Sequence, residues 1–219
     1  MRRMFGTIAP RYDFITRTFS FGMDHRWKLA GVQKADLPKG AAVLDLACGT
    51  GDFSRLVLRS APGVHVVAAD LTLEMLRKAR QHGLPHLVCG DAGALPFADA
   101  AFDCVFVGYG LRNFPDLGFA LKEIHRVTRP GGRLVTLDFF LPVHPFWRQV
   151  YLAGLYLQGA FWGLLLHGRT HIYTYIPRSL RTFHSIEELS SILRHQGFTS
   201  VNTQAHLLGG IGLYWAVRD

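Results

Sequence analysis

Apolar runs and amphipathic stretches alternate along most of the chain. Val43-Leu44-Asp45-Leu46-Ala47 is an apolar run with a β-branched start, which predicts a buried strand. It ends in the small-residue turn Cys48-Gly49-Thr50-Gly51. Asp52-Phe53-Ser54 then opens an apolar-periodic stretch through Leu56, Val57 and Leu58, which predicts a helix. A second strand over 64–69 ends in Asp70, and a helix over 73–81 follows, with Thr72 as its N-cap and Gly83 as its stop. Residues 86–89 predict a short third strand before Gly90-Asp91-Ala92, and 102–107 a fourth. The helix over 117–127 carries Ala120, Leu121, Ile124 and Val127 on one face, and the turn Arg129-Pro130-Gly131-Gly132 leads to a fifth strand over 133–139. Ser185 and Glu188 have capping-box spacing, so a helix starts there and runs to His195, where Gly197 ends it. Strands over 199–207 and 211–217 flank Gly209-Gly210. Strands alternating with helices predict an α/β fold with a mostly parallel sheet, helices on both faces and an antiparallel C-terminal hairpin. No internal repeat or low-complexity linker interrupts this order, so 1–219 reads as one domain.

Two segments stand outside that rhythm. Residues 4–28 mix Phe5, Ile8, Tyr12, Phe14, Ile15, Phe19, Phe21 and Trp27 with charged residues at a roughly helical period, broken by Pro10 and Ser20-Phe21-Gly22. This predicts an amphipathic flap over 1–39 that covers the core or serves as a lid over a ligand. Residues 141–183 carry Trp147, Tyr151, Tyr156, Phe161, Trp162, Tyr173 and Tyr175 beside Arg148, His167, Arg169 and His171. Within them, 150–166 is nearly uncharged and sits at the short limit for a membrane span. Gln158 and several glycines argue instead for a buried or interface-facing helix over the mouth of a site.

Composition narrows the classes. Of 219 residues, 49% are hydrophobic and 18% charged, and the formal net charge is +8. Such a surface suits nucleic acid, an anionic membrane or an acidic substrate. The basic residues are scattered, and no RNA-binding appendage is visible, so nucleic acid is not the expected partner. Cys48, Cys89 and Cys104 form neither a disulfide framework nor a zinc knuckle and read as buried reduced thiols. The eleven histidines show no ligand spacing, so no metal is expected, and His184 and His206 read as surface or satisfied-core residues. Met1-Arg2-Arg3 is followed by no long apolar run, so no secretory signal is expected.

The strand, glycine turn and helix, with an acid ending the next strand, make the first half of a nucleotide-binding unit. The turn is A-C-G-T-G, which is neither the G-x-G-x-x-G of dinucleotide binders nor a P-loop. D-x-A-C-G-T-G with Asp70 resembles motif I of class I S-adenosylmethionine-dependent methyltransferases, whose Rossmann-like sheet it implies. The stretch M-F-G-T-I-A-P-R-Y-D-F-I-T-R-T-F-S-F-G-M-D-H-R-W-K and the later G-L-R-N-F-P-D resemble the signatures of the ubiquinone/menaquinone biosynthesis C-methyltransferase family. The resemblance spans nearly the whole chain. It implies a cofactor site of Asp45, Gly49, Thr50, Gly51, Asp70, Leu71, Asp91, Ala92 and Gly108, with S-adenosylmethionine as cofactor and S-adenosylhomocysteine as product. Gly108 replaces a serine common there, and Asp138-Phe139-Phe140 replaces Glu-Phe-Ser.

The implied reaction is C-methylation of a polyprenylated quinol, demethylmenaquinol first among the candidates, with a phylloquinone or ubiquinone precursor or another small molecule as the alternative. A quinol ring carbon is a weak nucleophile until a ring hydroxyl loses its proton, so the site needs a proton acceptor or a bound water beside an apolar pocket. Asn113 is expected to orient that hydroxyl or water, and Arg112 to stabilise the phenolate. For Arg112, a salt bridge with Asp116 is an equal alternative. Tyr12 and Asp13 on the flap are further candidates. A long-tailed substrate gives the apolar 141–166 stretch and the positive charge a joint purpose, so the expected location is cytoplasmic with peripheral contact to an anionic membrane. A homodimer, an RNA methyltransferase and a non-catalytic cofactor-binding subunit remain open.

Overall fold

The computed structural model describes residues 2–170 and 172–219, so Met1 and His171, named above in the 141–183 stretch, lie outside the described residues. Strands β1 (Ala42–Leu46), β2 (His65–Asp70), β3 (Leu87–Cys89), β4 (Phe102–Gly108) and β5 (Thr128–Phe139) pair in parallel. The terminal strands β6 (Phe198–His206) and β7 (Ile211–Arg218) pair antiparallel, and β7 runs antiparallel to β5. The sheet order is β3-β2-β1-β4-β5-β7-β6. The predicted fold class is therefore the observed one.

The parallel strands are apolar on both faces because both faces are covered. Successive residues go to opposite sides. Val43, Phe106 and Val135 join a core with Trp27, Phe53 and Leu155, whereas Leu44, Val105 and Leu134 join one with Leu121, Ile124 and Leu193. The first core lies beneath α3 (Asp24–Ala35), α4 (Asp52–Ser60) and the N-terminal α1 (Arg2–Ile8) and α2 (Tyr12–Phe19). The second lies beneath α6 (Leu117–Val127) and α9 (Ile186–His195). The remaining helices are α5 (Leu73–Gln81), α7 (Pro145–His167) and α8 (Tyr175–Leu180).

Three expectations change. The turn at 129–132 is a bulge inside β5, which already pairs through Thr128 with Phe102, and Arg129 clamps both oxygens of Asp103 at 2.6 Å. Cys89 is exposed at the end of the short β3, while Cys48 and Cys104 are buried. The third change concerns α7, which is long and apolar enough by length and composition to cross a membrane, yet only 17% of its most apolar window is buried. Its glycines are a packing stripe. A Cβ at Gly159 would lie 3.0 Å from the Tyr173 backbone, and one at Gly163 would lie 2.6 Å from the Arg169 carbonyl oxygen. That stripe seats α7 on the backbone of Arg169, Thr170, Tyr173 and Thr174, Leu155 packs into the core, and the opposite face of the helix points outward.

Candidate active site

The chain leaves β1 for β2 and β3 on one side and returns to β4 on the other. The carboxyl ends of β1 and β4 therefore part, and an open α/β sheet forms its crevice at such a point. A cleft with about 730 Å³ of empty space, its open mouth included, occupies this place. Gly49, Asp70, Leu71, Asp91, Ala92 and Gly108 line it, with Tyr12 and Asn113 among its walls. These eight expected site residues come from six separate stretches of chain.

Gly49 adopts φ +56° and donates its N–H to Asp70 Oδ2 at 2.9 Å, while Thr72 N–H donates to Oδ1 at 2.8 Å. The bonds fix the Asp70 carboxylate at the cleft wall and leave lone pairs on both oxygens. Burial pushes its pKa up against those two bonds. Asp91 is exposed and accepts the Gly93 N–H at 2.8 Å. A Cβ at Gly108 would lie 2.7 Å from the Phe53 ring. The ring fills the space a serine would need, which is the physical reason for glycine there.

Asp45, Thr50, Gly51 and Arg112 do not line the cleft. Asp45 sits beneath the turn and accepts the N–H and Oγ–H of Ser54 at 2.9 and 2.6 Å, so it anchors the first turn of α4. Gly51 takes φ +86°, and a Cβ there would come within 2.2 Å of Leu84 Cδ1. The Thr50 hydroxyl donates to Asp13 of α2, and His82 Nδ1 lies 3.0 Å from the Thr50 carbonyl oxygen. The flap is thus tied to the glycine turn by the turn's own hydroxyl. Arg112 pairs with Asp138, not Asp116, and Asp116 instead caps α6 by accepting Phe119 N–H at 3.0 Å. His206 is not satisfied either: it stacks on Trp27, but its Nε2 is buried without a partner.

Beside the cleft lies a smaller chamber, with about 350 Å³ of empty space when the volume open to solvent is included. Ile8, Ile15, Phe19, Phe139 and Ile176 make it apolar, and Arg112, Tyr173 and Tyr175 give it polar edges. The Arg112 and Asp138 side chains are only 3% and 1% exposed. Burial works against the guanidinium charge, but Asp138 outweighs it and holds the group cationic. Burial, aided by Tyr175, keeps the Tyr12 hydroxyl protonated well above the usual tyrosine range. Asn113 Nδ2 donates to the Tyr109 carbonyl oxygen at 3.0 Å, which leaves its buried Oδ1 unpartnered.

Tyr12 and Tyr109 wall both the cleft and the chamber. Tyr109 was not among the expected site residues. Its signal was positional, an aromatic between two glycines one residue past β4.

A model of the ubiE/COQ5 methyltransferase family matches residues 1–218. A demethylmenaquinone methyltransferase of Thermus thermophilus is 42% identical over 90% of this chain and 91% of its own. A ubiquinone/menaquinone biosynthesis C-methyltransferase of Desulfotalea psychrophila is 38% identical over all of this chain and 90% of its own. Among solved structures, an S-adenosylmethionine-dependent methyltransferase of Thermotoga maritima covers 100% of both chains at TM-score 0.71 and 20% identity. A phosphoethanolamine N-methyltransferase of Haemonchus contortus, solved with S-adenosylmethionine, covers 87% of this chain and 52% of its own at TM-score 0.63 and 16% identity.

Proposed function

The chain belongs to the ubiE/COQ5 methyltransferase family, and from that premise we propose that it methylates a ring carbon of a polyprenylated quinol, with demethylmenaquinol as its first substrate. The cleft fits the cofactor. Gly49 would let the cofactor approach the backbone, Asp70 would offer lone pairs to ribose hydroxyls, Asp91 would accept from the adenine amino group, and Leu71 and Ala92 would give the base an apolar wall. When bound, S-adenosylmethionine supplies a sulfonium methyl; the sulfur keeps the bonding pair as the thioether of S-adenosylhomocysteine, and the ring carbon gains the methyl and releases its proton.

The protein's own part is placement, exclusion of water and charge. Holding two reactants aligned is worth about 7–11 kcal/mol. The apolar chamber takes the ring, and α2, tied to the glycine turn through Asp13 and Thr50, closes over it. Arg112 stays cationic, so it stabilises a phenolate and takes no proton. Asn113 Oδ1 accepts from a ring hydroxyl or from a water that removes its proton. Tyr12 keeps its proton and serves as a donor. The observation that carries the reading is that Tyr12 and Tyr109 border both cavities, so the two lie side by side and a methyl donor held in one would be next to a ring held in the other.

The outward face of α7 and its basic neighbours support a working position at the cytoplasmic face of an anionic membrane, where a long-tailed quinol is reached. The deciding assay is methyl transfer from labelled S-adenosylmethionine to reduced demethylnaphthoquinol and demethoxybenzoquinol acceptors, with the oxidised quinones as controls. Product from quinols alone, naphthoquinol preferred, is the expected result. Tight cofactor binding without product from either ring overturns the acceptor and moves attention to RNA or to a non-catalytic role.

A further inference from the structure

Among the described residues, six buried side-chain polar atoms lack a hydrogen-bond partner, and three of them belong to the stretch 109–113: Tyr109 Oη, Arg112 Nε and Asn113 Oδ1. Buried polar groups are almost always paired, so a cluster of exceptions at the wall of two cavities needs a reason. Arg112 and Asn113 already have one in the proposed reaction. Tyr109 does not.

Tyr109 is held with unusual firmness for a residue in an unfavourable conformation. Its φ is +58°, a left-handed value that bulky side chains seldom adopt. Its N–H donates to the Leu137 carbonyl oxygen at 2.6 Å. Its own carbonyl oxygen accepts from Arg112 at 3.1 Å and from Asn113 at 3.0 Å. The loop that carries the two reaction residues is therefore built on the Tyr109 backbone. The side chain is 5% exposed, its ring packs 5.0 Å from Phe139, and Lys28 Nζ lies 5.7 Å from the ring centroid. All of those ring contacts are available to a phenylalanine. The hydroxyl adds nothing to them, and its burial without a partner is unfavourable. Burial, reinforced by Asp24 and Tyr12, also keeps the hydroxyl protonated, so what it offers is a donor.

We propose that the Tyr109 hydroxyl donates a hydrogen bond to a ring oxygen of the acceptor seated between the cleft and the inner chamber. The assignment rests on the quinol reading above. Tyr109 is then a substrate-binding residue that orients the ring, distinct from Arg112, which answers charge. A site built to bond an oxygen discriminates by leaving its own polar group unpaired when that oxygen is missing or turned away.

Tyr109→Phe tests this because it removes one oxygen and keeps the ring. Wild type and variant are compared in cofactor affinity, thermal midpoint, and kcat and KM for the reduced naphthoquinol. The expected outcome is unchanged cofactor affinity, a midpoint equal or higher, and kcat/KM for the quinol lower by about tenfold or more, most of it in KM. Quinol kinetics equal to wild type, with the midpoint raised, would mean the hydroxyl is only an unpaired core group and would overturn the assignment. A lowered midpoint with weaker cofactor binding would overturn it as well, in favour of a structural role. If the wild type turns over neither quinol, the acceptor reading itself falls, and that failure is separate because it appears without the variant.

Discussion

Asp45 is a carboxylate with an opposed environment. It is 1% exposed, and burial raises its pKa from 3.8 to about 7, although two hydrogen bonds from Ser54 and the nearby Lys28 favour the charged form. The folded state therefore keeps a proton that the unfolded chain releases between 3.8 and about 7. A raised acid pKa of this kind contributes stability that is full below the lower value and is lost as pH rises through the upper one. The loss is on the order of 4 kcal/mol as an upper bound. Asp52 has the opposite slope, since Lys28 and Arg55 outweigh its burial and lower its pKa. Asp45→Asn, which keeps an acceptor for Ser54, is expected to flatten the decline in stability with rising pH. Urea midpoints measured across that window check it, and an unaltered decline would contradict it. The same residue marks a limit of sequence reading. The D-x-A-C-G-T-G pattern locates the turn, but it does not say which of its side chains face the ligand. Asp45 and Thr50 face α4 and α2 instead, because neighbouring hydrogen-bond donors and acceptors, invisible in a linear pattern, claim them first. The ion pair of Arg112 was misplaced for the same reason: its partner came from a strand 26 residues away rather than from the nearer Asp116.

At the scale of elements, legibility follows local chemistry. Helix α9 begins and ends where its sequence says, because both halves of the Ser185–Glu188 box form: Glu188 N–H donates to Ser185 Oγ at 3.1 Å and Ser185 N–H to Glu188 Oε2 at 2.7 Å. Ser185→Ala removes one half of the box, with an expected cost of about 0.5–2 kcal/mol and no change in cofactor affinity, since α9 packs on the face away from the flap. Denaturant unfolding paired with a cofactor titration reads both. A cost near zero would mean that solvent replaces the cap. Helix α6 was legible through its apolar face, although its cap, Asp116, reads from sequence as a salt-bridge partner of Arg112. Elements whose boundaries depend on distant partners were less so. The bulge in β5 carries the Asp103–Arg129 clamp, and the glycines of α7 look like helix weaknesses until the backbones of Arg169, Thr170 and Tyr173 are placed against them.

The whole molecule has an asymmetry that no single element carries. Phe146, Trp147, Val150, Leu157, Phe161 and Leu164 of α7 are each at least 44% exposed, and Phe14 of the flap packs edge-on against Trp162 at 5.0 Å. The same surface thus runs from α7 onto the helix that closes the inner chamber. A contiguous apolar surface of this kind on a basic protein calls for a partner. On the membrane reading proposed above, an anionic bilayer would bury the apolar face and attract the net +8 charge together. Sedimentation with vesicles is therefore expected to be strong with anionic lipid, weaker with neutral lipid, and reduced by salt. Leu157→Glu with Phe161→Glu should abolish it at any lipid charge while leaving turnover of a short-tailed quinol near wild type, since neither side chain lines the cleft or the chamber. Turnover of a long-tailed quinol presented in vesicles should fall with the binding. If the double variant still sediments with anionic vesicles, the attraction resides in scattered basic residues alone, and α7 is no docking face. If binding is lost but vesicle-borne quinol is methylated as before, substrate reaches the chamber by a route that does not pass over α7.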